Sequence, residues 1–568
     1  MANEEQQTNV EKYEFEPIKG YPMLNWKGKR PFRSTQYFPA QLKEVYGQED
    51  ENGWINKIFW GDNLQVMSHL LKEFRGKVDL IYIDPPFDSK IDYKKEIKLK
   101  NNKIKTETNS FEEKQYSDIW SNDEYLQFMY ERLILMKELL STKGSIFLHC
   151  DWHKSHHLRM IMDEVFGAGN FVNEIIWCYH GPGSPGMRQF NRKHDNIFWY
   201  SKSKGEWTFN DDAVRIAHNE KTSGNFKSGL KGSGFIDGKY ELAEGKIPED
   251  YWQFAIAGRY PNDGIKRTGY PTEKPFPLLE RIINAASNPG DIVFDCFMGS
   301  GVSAMTAVKL GRRFIGSDIN STSIKDTVMR LNKLSSDVGL GVCHVNNYDV
   351  FRNPAEAKDL LIEVLEIQKL DSNVVYDGEK DGYKVKIMPV NRIATKEDLN
   401  ELVSNFPYKQ FEERKAANPN KPVEEIMLVC MGHEPGLGAT LENECGYKLK
   451  VEVVDILRDK SDLTFKYDSE AVIKVQDGKL IVDAFYPRNL LQKLSQQKDD
   501  VEEWREMVES IMIDWNYDGA VMEPVVIDIP DKNEFVAGEY EIPQGANNIK
   551  IKITDLLSES YEEVIAHG

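Results

Sequence analysis

The sequence predicts an α/β protein: a Rossmann-like mixed sheet within residues 51–178 and 263–340, interrupted by a polar insertion and followed by an α+β or β-rich module. Three observations lead there. The apolar run Val78-Asp79-Leu80-Ile81-Tyr82-Ile83 ends in Asp84-Pro85-Pro86-Phe87, a buried strand that meets a rigid, polar-tipped turn. Far downstream, Asp291-Ile-Val-Phe-Asp295-Cys-Phe297-Met-Gly299-Ser300-Gly301 reads as a strand, a glycine turn and then a helix through Ala304 to Val308. A second strand with an acidic tip, Arg313-Phe-Ile-Gly-Ser-Asp318, follows at the distance where a ribose diol is usually held, so the pair predicts an adenosine-type ligand.

The other elements follow in order. Residues 1–50 are an N-terminal arm, and Ile58-Phe-Trp-Gly61-Asp62-Asn63 precedes the first strong strand. Asp123 to Leu140 has apolar residues at helical spacing, and Gly144 is expected to stop it before a strand over Ser145 to His149. Residues 179–262 are rich in glycine and polar groups, although Ile197 to Tyr200 within them reads as a buried strand. Thr272-Glu273-Lys274-Pro275 opens a helix that leads into the glycine motif.

The chemistry of the proline turn can be read from its atoms. Two prolines lack N–H groups and hold φ near one value, so the Asp84 carboxylate and the Pro85 carbonyl become fixed acceptors. Phe87 adds a flat stacking surface. A planar base lying on that ring would donate one amine hydrogen to Asp84 and the other to the Pro85 carbonyl. An amine lone pair delocalised into a ring is a poor nucleophile until two such acceptors polarise it, so orientation and electrostatics would supply most of the acceleration.

These motifs, in this order, resemble the β-class amino-methyltransferases of DNA that use S-adenosylmethionine, and within them the modification subunits of type III restriction systems. The resemblance covers about residues 20–335 and implies a circularly permuted, mixed seven-stranded methyltransferase sheet. It implies that Asp84, Pro85, Pro86 and Phe87 form the catalytic turn. The S-adenosylmethionine site would comprise Asp62 at the adenine, Lys274 and Pro275 at the methionine end, Phe297, Gly299 and Gly301 as its wall, Asp318 at the ribose hydroxyls, and Asp295 and Ser300 beside them. The family often has Glu where this chain has Asp318. Asp at the first position of the turn goes with adenine N6 in this family, and Ser with cytosine N4, which makes adenine the expected target. N4-cytosine, RNA or protein methylation, or a non-catalytic scaffold, are the alternatives.

The net charge of −19 is unevenly spread: residues 1–340 hold 46 of the 72 Lys and Arg and 46 of the 91 Asp and Glu, so all the excess lies beyond them. A neutral catalytic part can present a basic face, and the lysine-rich stretch containing Lys94, Lys95, Lys98 and Lys100 is expected to meet phosphates of double-stranded DNA. Arg188, Arg192 and Lys193 lie in the 179–262 region, the expected target-recognition insertion between catalytic parts 51–178 and 263–340.

Six cysteines without a C-x-x-C pair point to a reduced cytoplasm, which the resemblance implies is bacterial or archaeal, and nothing predicts a signal peptide or membrane span. The cluster His149, Asp151, His153, His156 and His157 lacks metal-site spacing, and no metal is expected. Gly432 to Gly438 lacks the Lys-Ser/Thr of a nucleotide-hydrolysing loop. In the acidic module, residues 341–568, strands are expected at Tyr383 to Met388, Glu425 to Cys430, Lys448 to Val454 and Ile549 to Ile553, with a helix around Val501 to Ile513. So acidic a module suits docking to a restriction or helicase-type subunit, or to a second copy, better than binding DNA.

Overall fold

Strands covered by helices on both faces have no wet side to alternate toward, so they read as continuous apolar runs. This computed structural model describes residues 12–14, 23–36, 40–86, 92–98, 110–117, 122–180, 188–217, 245–256, 273–335, 338–345, 358, 361–362, 365–370, 375–390, 394–434, 436–456, 469–488, 490–491, 494, 501, 503–530 and 534–567. Its central sheet comprises β1 (Ala40–Tyr46), β2 (Asn56–Trp60), β3 (Val78–Ile83), β4 (Leu140–Cys150) and β5 (Phe171–Cys178). It is completed by β6 (His194–Ser201), β7 (Tyr251–Gln253), β8 (Ile292–Asp295), β9 (Arg313–Asp318) and β10 (Leu340–Val345).

The strand order is β7-β5-β6-β4-β3-β8-β9-β2-β10-β1. From β4 to β10 all neighbours are parallel, and β6 is antiparallel to both β4 and β5. The stretch from β5 to β2 is the expected mixed seven-stranded sheet. Three further strands, β7, β10 and β1, extend its edges. One of them, β1, comes from the segment read as an arm, because Ala-Gln-Leu-Lys-Glu-Val-Tyr has only one well-buried side and too few apolar residues to declare it.

One face carries α1 (Asn63–Phe74), α2 (Asn122–Leu139) and α3 (Ser155–Met162), whose apolar sides share a core with Ile81, Ile83 and Ile146. The other carries α4 (Phe276–Ala286), α5 (Val302–Lys309) and α6 (Ser321–Leu334), packed on Leu80, Val293 and Phe314. In α4 the buried residues Leu278, Leu279, Ile282, Ile283 and Ala286 repeat at the helical period. From β3 the chain crosses by α2 to β4 on one side; from β8 it crosses by α5 to β9 on the other. The strand order therefore reverses between β3 and β8, and ligands bind α/β sheets at the carboxyl ends beside such a reversal.

Two expected boundaries shift. β6 and β7, from within the expected insertion 179–262, are strands of the central sheet, since β6 is buried at every position after His194 and cannot stand apart. Gly144 lies inside β4 rather than stopping a helix; the helix ends at Leu139.

The expected edge at 340 passes through the start of β10. Beyond it, a five-stranded sheet includes the parallel strands Tyr383–Ile387, Glu424–Cys430 and Leu449–Asp455. In place of the helix expected over Val501 to Ile513, a short 3-10 turn (Trp504–Met507) runs into a strand (Val508–Asp514). Val508, Ile511 and Met512 fit both periods, and only their pairing with Asn548–Asp555 decides it. This strand's sheet lies against β1. Met522 N donates to Lys43 O and Val45 N to Met522 O, both at 2.9 Å, and Met512 and Met522 enter the catalytic core. Lys552 pairs with Glu44, and Lys325 with Glu509. No helix among the described residues is long and apolar enough to cross a membrane.

Candidate active site

Asp84 stands immediately beyond the carboxyl end of β3, with Pro85 buried and Pro86 half-buried; Phe87 lies outside the described residues. Lys274 Nζ pairs with Asp84 Oδ2, both side chains largely buried. Segment 273–275 is held to α6 by a 2.6 Å bond from Arg330 to Glu273, and Pro275 caps α4. Asp84 Oδ1 is also buried but has no hydrogen-bond partner among the described residues. It lies 4.0 Å from His149 Nδ1.

His149, near the end of β4, is wholly buried. Its Nδ1 is 3.0 Å from the Tyr82 hydroxyl and its Nε2 is 3.2 Å from Asp195 Oδ2. The Tyr179 hydroxyl donates to Asp195 Oδ1 at 3.2 Å. Burial pushes Asp195 up, but the bond and charge of His149, the charge of Lys274 and the Tyr179 bond outweigh it, leaving this carboxyl below its ordinary range. Burial, then the nearby carboxylates of Asp84, Asp295 and Asp195, drives the Tyr82 phenol well above its usual range.

Across the strand reversal, the turn after β8 closes on itself. Asp295 Oδ1 accepts from Phe297 N at 2.9 Å and Oδ2 from the Ser303 hydroxyl at 2.5 Å. Burial pushes Asp295 up to about 7, with Asp84 and Asp318 adding to it. Asp318 Oδ2 accepts from Gly299 N and Oδ1 from Asn320 N, both at 2.8 Å, and burial raises this group to about 6 despite those bonds. Gly301 sits at φ +72°, where a side chain would strain the backbone and collide with Thr327. The turn that brings α5 to the carboxyl edge therefore needs glycine.

Asp62 is engaged within the protein: Oδ1 caps α1 through Leu64 N (3.0 Å) and Gln65 N (3.4 Å), and Oδ2 accepts from Arg132 at 3.0 Å. Arg132 also bonds Asn63, whose amide donates to Cys296 O at 3.2 Å. Phe128, which Arg132 covers, stands 6.1 Å from Phe297. Asp62, Phe297, Gly299 and Asp318 thus converge at the carboxyl ends of β2, β8 and β9. Ser300 is buried in the same turn. The group fits a nucleoside: the glycine turn brings the Gly299 N–H and the Asp318 carboxylate together at the carboxyl edge of the sheet, where a ribose diol is usually held.

The basic residues are placed differently. Lys94, Lys95 and Lys98 lie on a strand, Asp92–Lys98, paired with Ser110–Ser117; Lys100 is outside the described residues. Arg188 and Arg192 are exposed and Lys193 half-buried just before β6. Arg192 stacks on Trp152 at 3.8 Å. Because β6 runs antiparallel to β4, this rim shares the carboxyl edge with Asp84.

Sequence reasoning missed Tyr82, His149, Tyr179 and Asp195 as one constellation, and Arg132 beneath Asp62. Tyr82 and His149 were visible inside quoted strands. Asp195 carried no signal, since its flanks read as recognition loop.

Residues 78–329 match the DNA methylase family. The chain is 30% identical over 285 residues to the type II methyltransferase M1.MboII of Moraxella bovis, a match covering 49% of this chain and 98% of that protein. To the DNA adenine methyltransferase YhdJ of Escherichia coli K12 it is 27% identical over 282 residues, 49% of this chain and 83% of YhdJ. To the type III restriction-modification enzyme EcoPI Mod subunit of phage P1 it is 30% identical over 224 residues, 36% of this chain and 35% of that subunit.

Proposed function

Because this chain belongs to the DNA methylase family, we propose that it methylates the N6 amine of adenine in a specific duplex DNA sequence, as part of a restriction-modification or phage-defence system. The observation that carries this reading is Asp84: a carboxylate at the strand reversal, one oxygen held by Lys274 and the other buried and open. S-adenosylmethionine, when bound, supplies an electrophilic methyl group on a sulfonium.

Everything else falls to the chain's own residues. Asp295, Asp318 and the glycine turn form the cofactor wall, with Asp62 and its Arg132 support at the adenine end. Asp84 accepts one amine hydrogen through Oδ1, and Lys274 keeps the carboxylate from turning away. The Pro85 carbonyl accepts the second hydrogen and Phe87 stacks on the base. Reaching this pocket requires the nucleotide to leave the duplex, which costs a few kcal/mol and is offset by the stacking. Asp rather than Ser at position 84 favours adenine over cytosine.

Lysines of the 92–98 strand and Arg188, Arg192 and Lys193 contact phosphates, and the 179–262 region reads sequence. The acidic sheets beyond β10 meet a restriction or helicase-type subunit or a second copy, in the cytoplasm where the DNA lies. Their union with β1 means that partner binding is best tested on the whole chain, by its mass in solution with and without the candidate subunit.

The test of activity is single-molecule sequencing of DNA from a methylation-free host expressing the wild type or Asp84→Ala. One motif bearing N6-methyladenine with the wild type alone is the expected result. N4-methylcytosine instead would overturn the base assignment.

A further inference from the structure

A fully buried imidazole stands behind the proposed catalytic carboxylate, and the mechanism above gives it no task. When the N6 amine acquires a methyl group, its nitrogen has four bonds and must lose a proton. That N–H bond breaks, the electron pair stays on nitrogen, and the proton needs an acceptor within reach. Asp84 is in contact with the amine, and with Oδ2 committed to Lys274 the proton arrives on Oδ1. Beyond Oδ1 lies His149 Nδ1 at 4.0 Å. This is longer than a hydrogen bond, as catalytic contacts often are before substrate tightens them.

We propose that His149, oriented by Asp195, takes onward from Asp84 the proton shed by the methylated amine, and releases it through Asp84 to solvent once product leaves. This rests on Asp84 being the acceptor for the amine.

The hydrogen bonds fit such a task. With Nε2–H donating to Asp195, Nδ1 is the acceptor that faces Tyr82 and Asp84. When the proton arrives, the Tyr82 hydroxyl turns from donor to acceptor and the Asp195 carboxylate offsets the new positive charge. This is the logic by which a buried carboxylate fixes a tautomer and steadies an imidazolium. Asp195 is suited to it, because Tyr179 donates to its other oxygen at 3.2 Å and leaves Oδ2 to His149. Among the described residues, the titratable groups against His149 are Tyr82 and Asp84 from β3 and its turn and Asp195 from β6, with Tyr179 behind Asp195 and Lys274 behind Asp84. Neither His149 nor Asp195 touches the base, so both are positioning residues behind Asp84.

The experiment is single-turnover methylation of a duplex carrying the recognition sequence, followed across pH for wild type, His149→Gln, Asp195→Asn and Tyr179→Phe. Cofactor binding is measured in parallel as a check of folding. His149→Gln is expected to slow the step by about 10²-fold and to abolish the acid limb of the profile, with cofactor affinity little changed. Asp195→Asn should move that limb to lower pH, because an imidazole without its anion holds a proton less readily; Tyr179→Phe should move it slightly the other way.

A His149→Gln enzyme at full speed, or one slowed with its acid limb intact, overturns the relay. Should His149→Gln fail to fold, an unmoved limb in Asp195→Asn overturns it equally. The parent reading fails separately, by a wild type that leaves DNA unmarked or an Asp84→Ala enzyme that stays active.

Discussion

The two sides of the crevice treat their carboxylates in opposite ways. On the β8 and β9 side, Asp295 and Asp318 have both oxygens bonded by their own chain. On the β3 side, Asp84 has one oxygen tied to a lysine and the other buried without a partner among the described residues. A carboxylate satisfied internally shapes a wall and can add a ligand's hydroxyl at little cost. One with an empty buried oxygen is unfavourable until a donor arrives, and so is set for the reacting group.

The largest expected effect comes from breaking the open side. Asp84→Ala removes the acceptor and its pairing with Lys274, and should lower the methylation rate by about 10³-fold. Cofactor affinity should barely change, since the wall is intact. Rapid-quench kinetics beside calorimetric cofactor titration separates the two quantities, and parallel losses in both would erase the distinction between the sides.

Next comes the support beneath the wall. Arg132→Met would leave the buried Asp62 carboxylate and the Asn63 amide without their partner. Breaking a buried pair from one side costs about 3–5 kcal/mol, so chemical denaturation should show a loss in that range. A change within the error of the wild type would mean that Asp62 is solvated rather than held.

The wall also makes a pH prediction. Asp295 and Asp318 are raised to about 7 and about 6. They hold protons in the folded protein where the unfolded chain has already released them at about 4. Their contribution to stability is complete below about 4 and is lost as pH rises through about 6 and about 7. The cofactor-free protein should therefore lose thermal stability over that interval, and Asp295→Asn should flatten the upper part of the fall. If Asp318 accepts ribose hydroxyls as a carboxylate, cofactor affinity should climb with pH through about 6. Asp318→Asn should bind about tenfold more weakly with that climb removed, a loss of one charge-assisted hydrogen bond.

How much of this was legible in the sequence follows from where each contact lies along the chain. Asp84 and Asp295 announce themselves because each ends an apolar run with a turn that only proline or glycine can make. Lys274 stands in a recognisable segment, but its pairing with Asp84 spans 190 positions and appears only when α4 is laid beside β3. Asp195 was lost for a related reason: the sequence declares the strand only from Ile197, and it is the placing of β6 between β4 and β5 that extends it back over Asp195. The same local ambiguity turned Val508–Asp514 into a helix on paper. Local pattern finds the residues that end elements; the residues that complete a site from a neighbouring strand need the sheet order.

The smallest expected effect lies on the rim, and it separates positioning from chemistry. Arg192 covers Trp152, which is 43% exposed, at the carboxyl edge before β6. Stacking holds a guanidinium flat while its N–H groups point outward in its plane, a geometry suited to phosphate oxygens. Such a contact carries no sequence information. Arg192→Ala should therefore weaken binding to matched and unmatched duplexes by the same factor and reduce the slope of log affinity against log salt by about 1. The single-turnover rate at saturating DNA should stay that of the wild type, because neither the open oxygen of Asp84 nor the wall opposite it depends on the rim. A selective loss for the matched duplex would instead make Arg192 a reader of base edges.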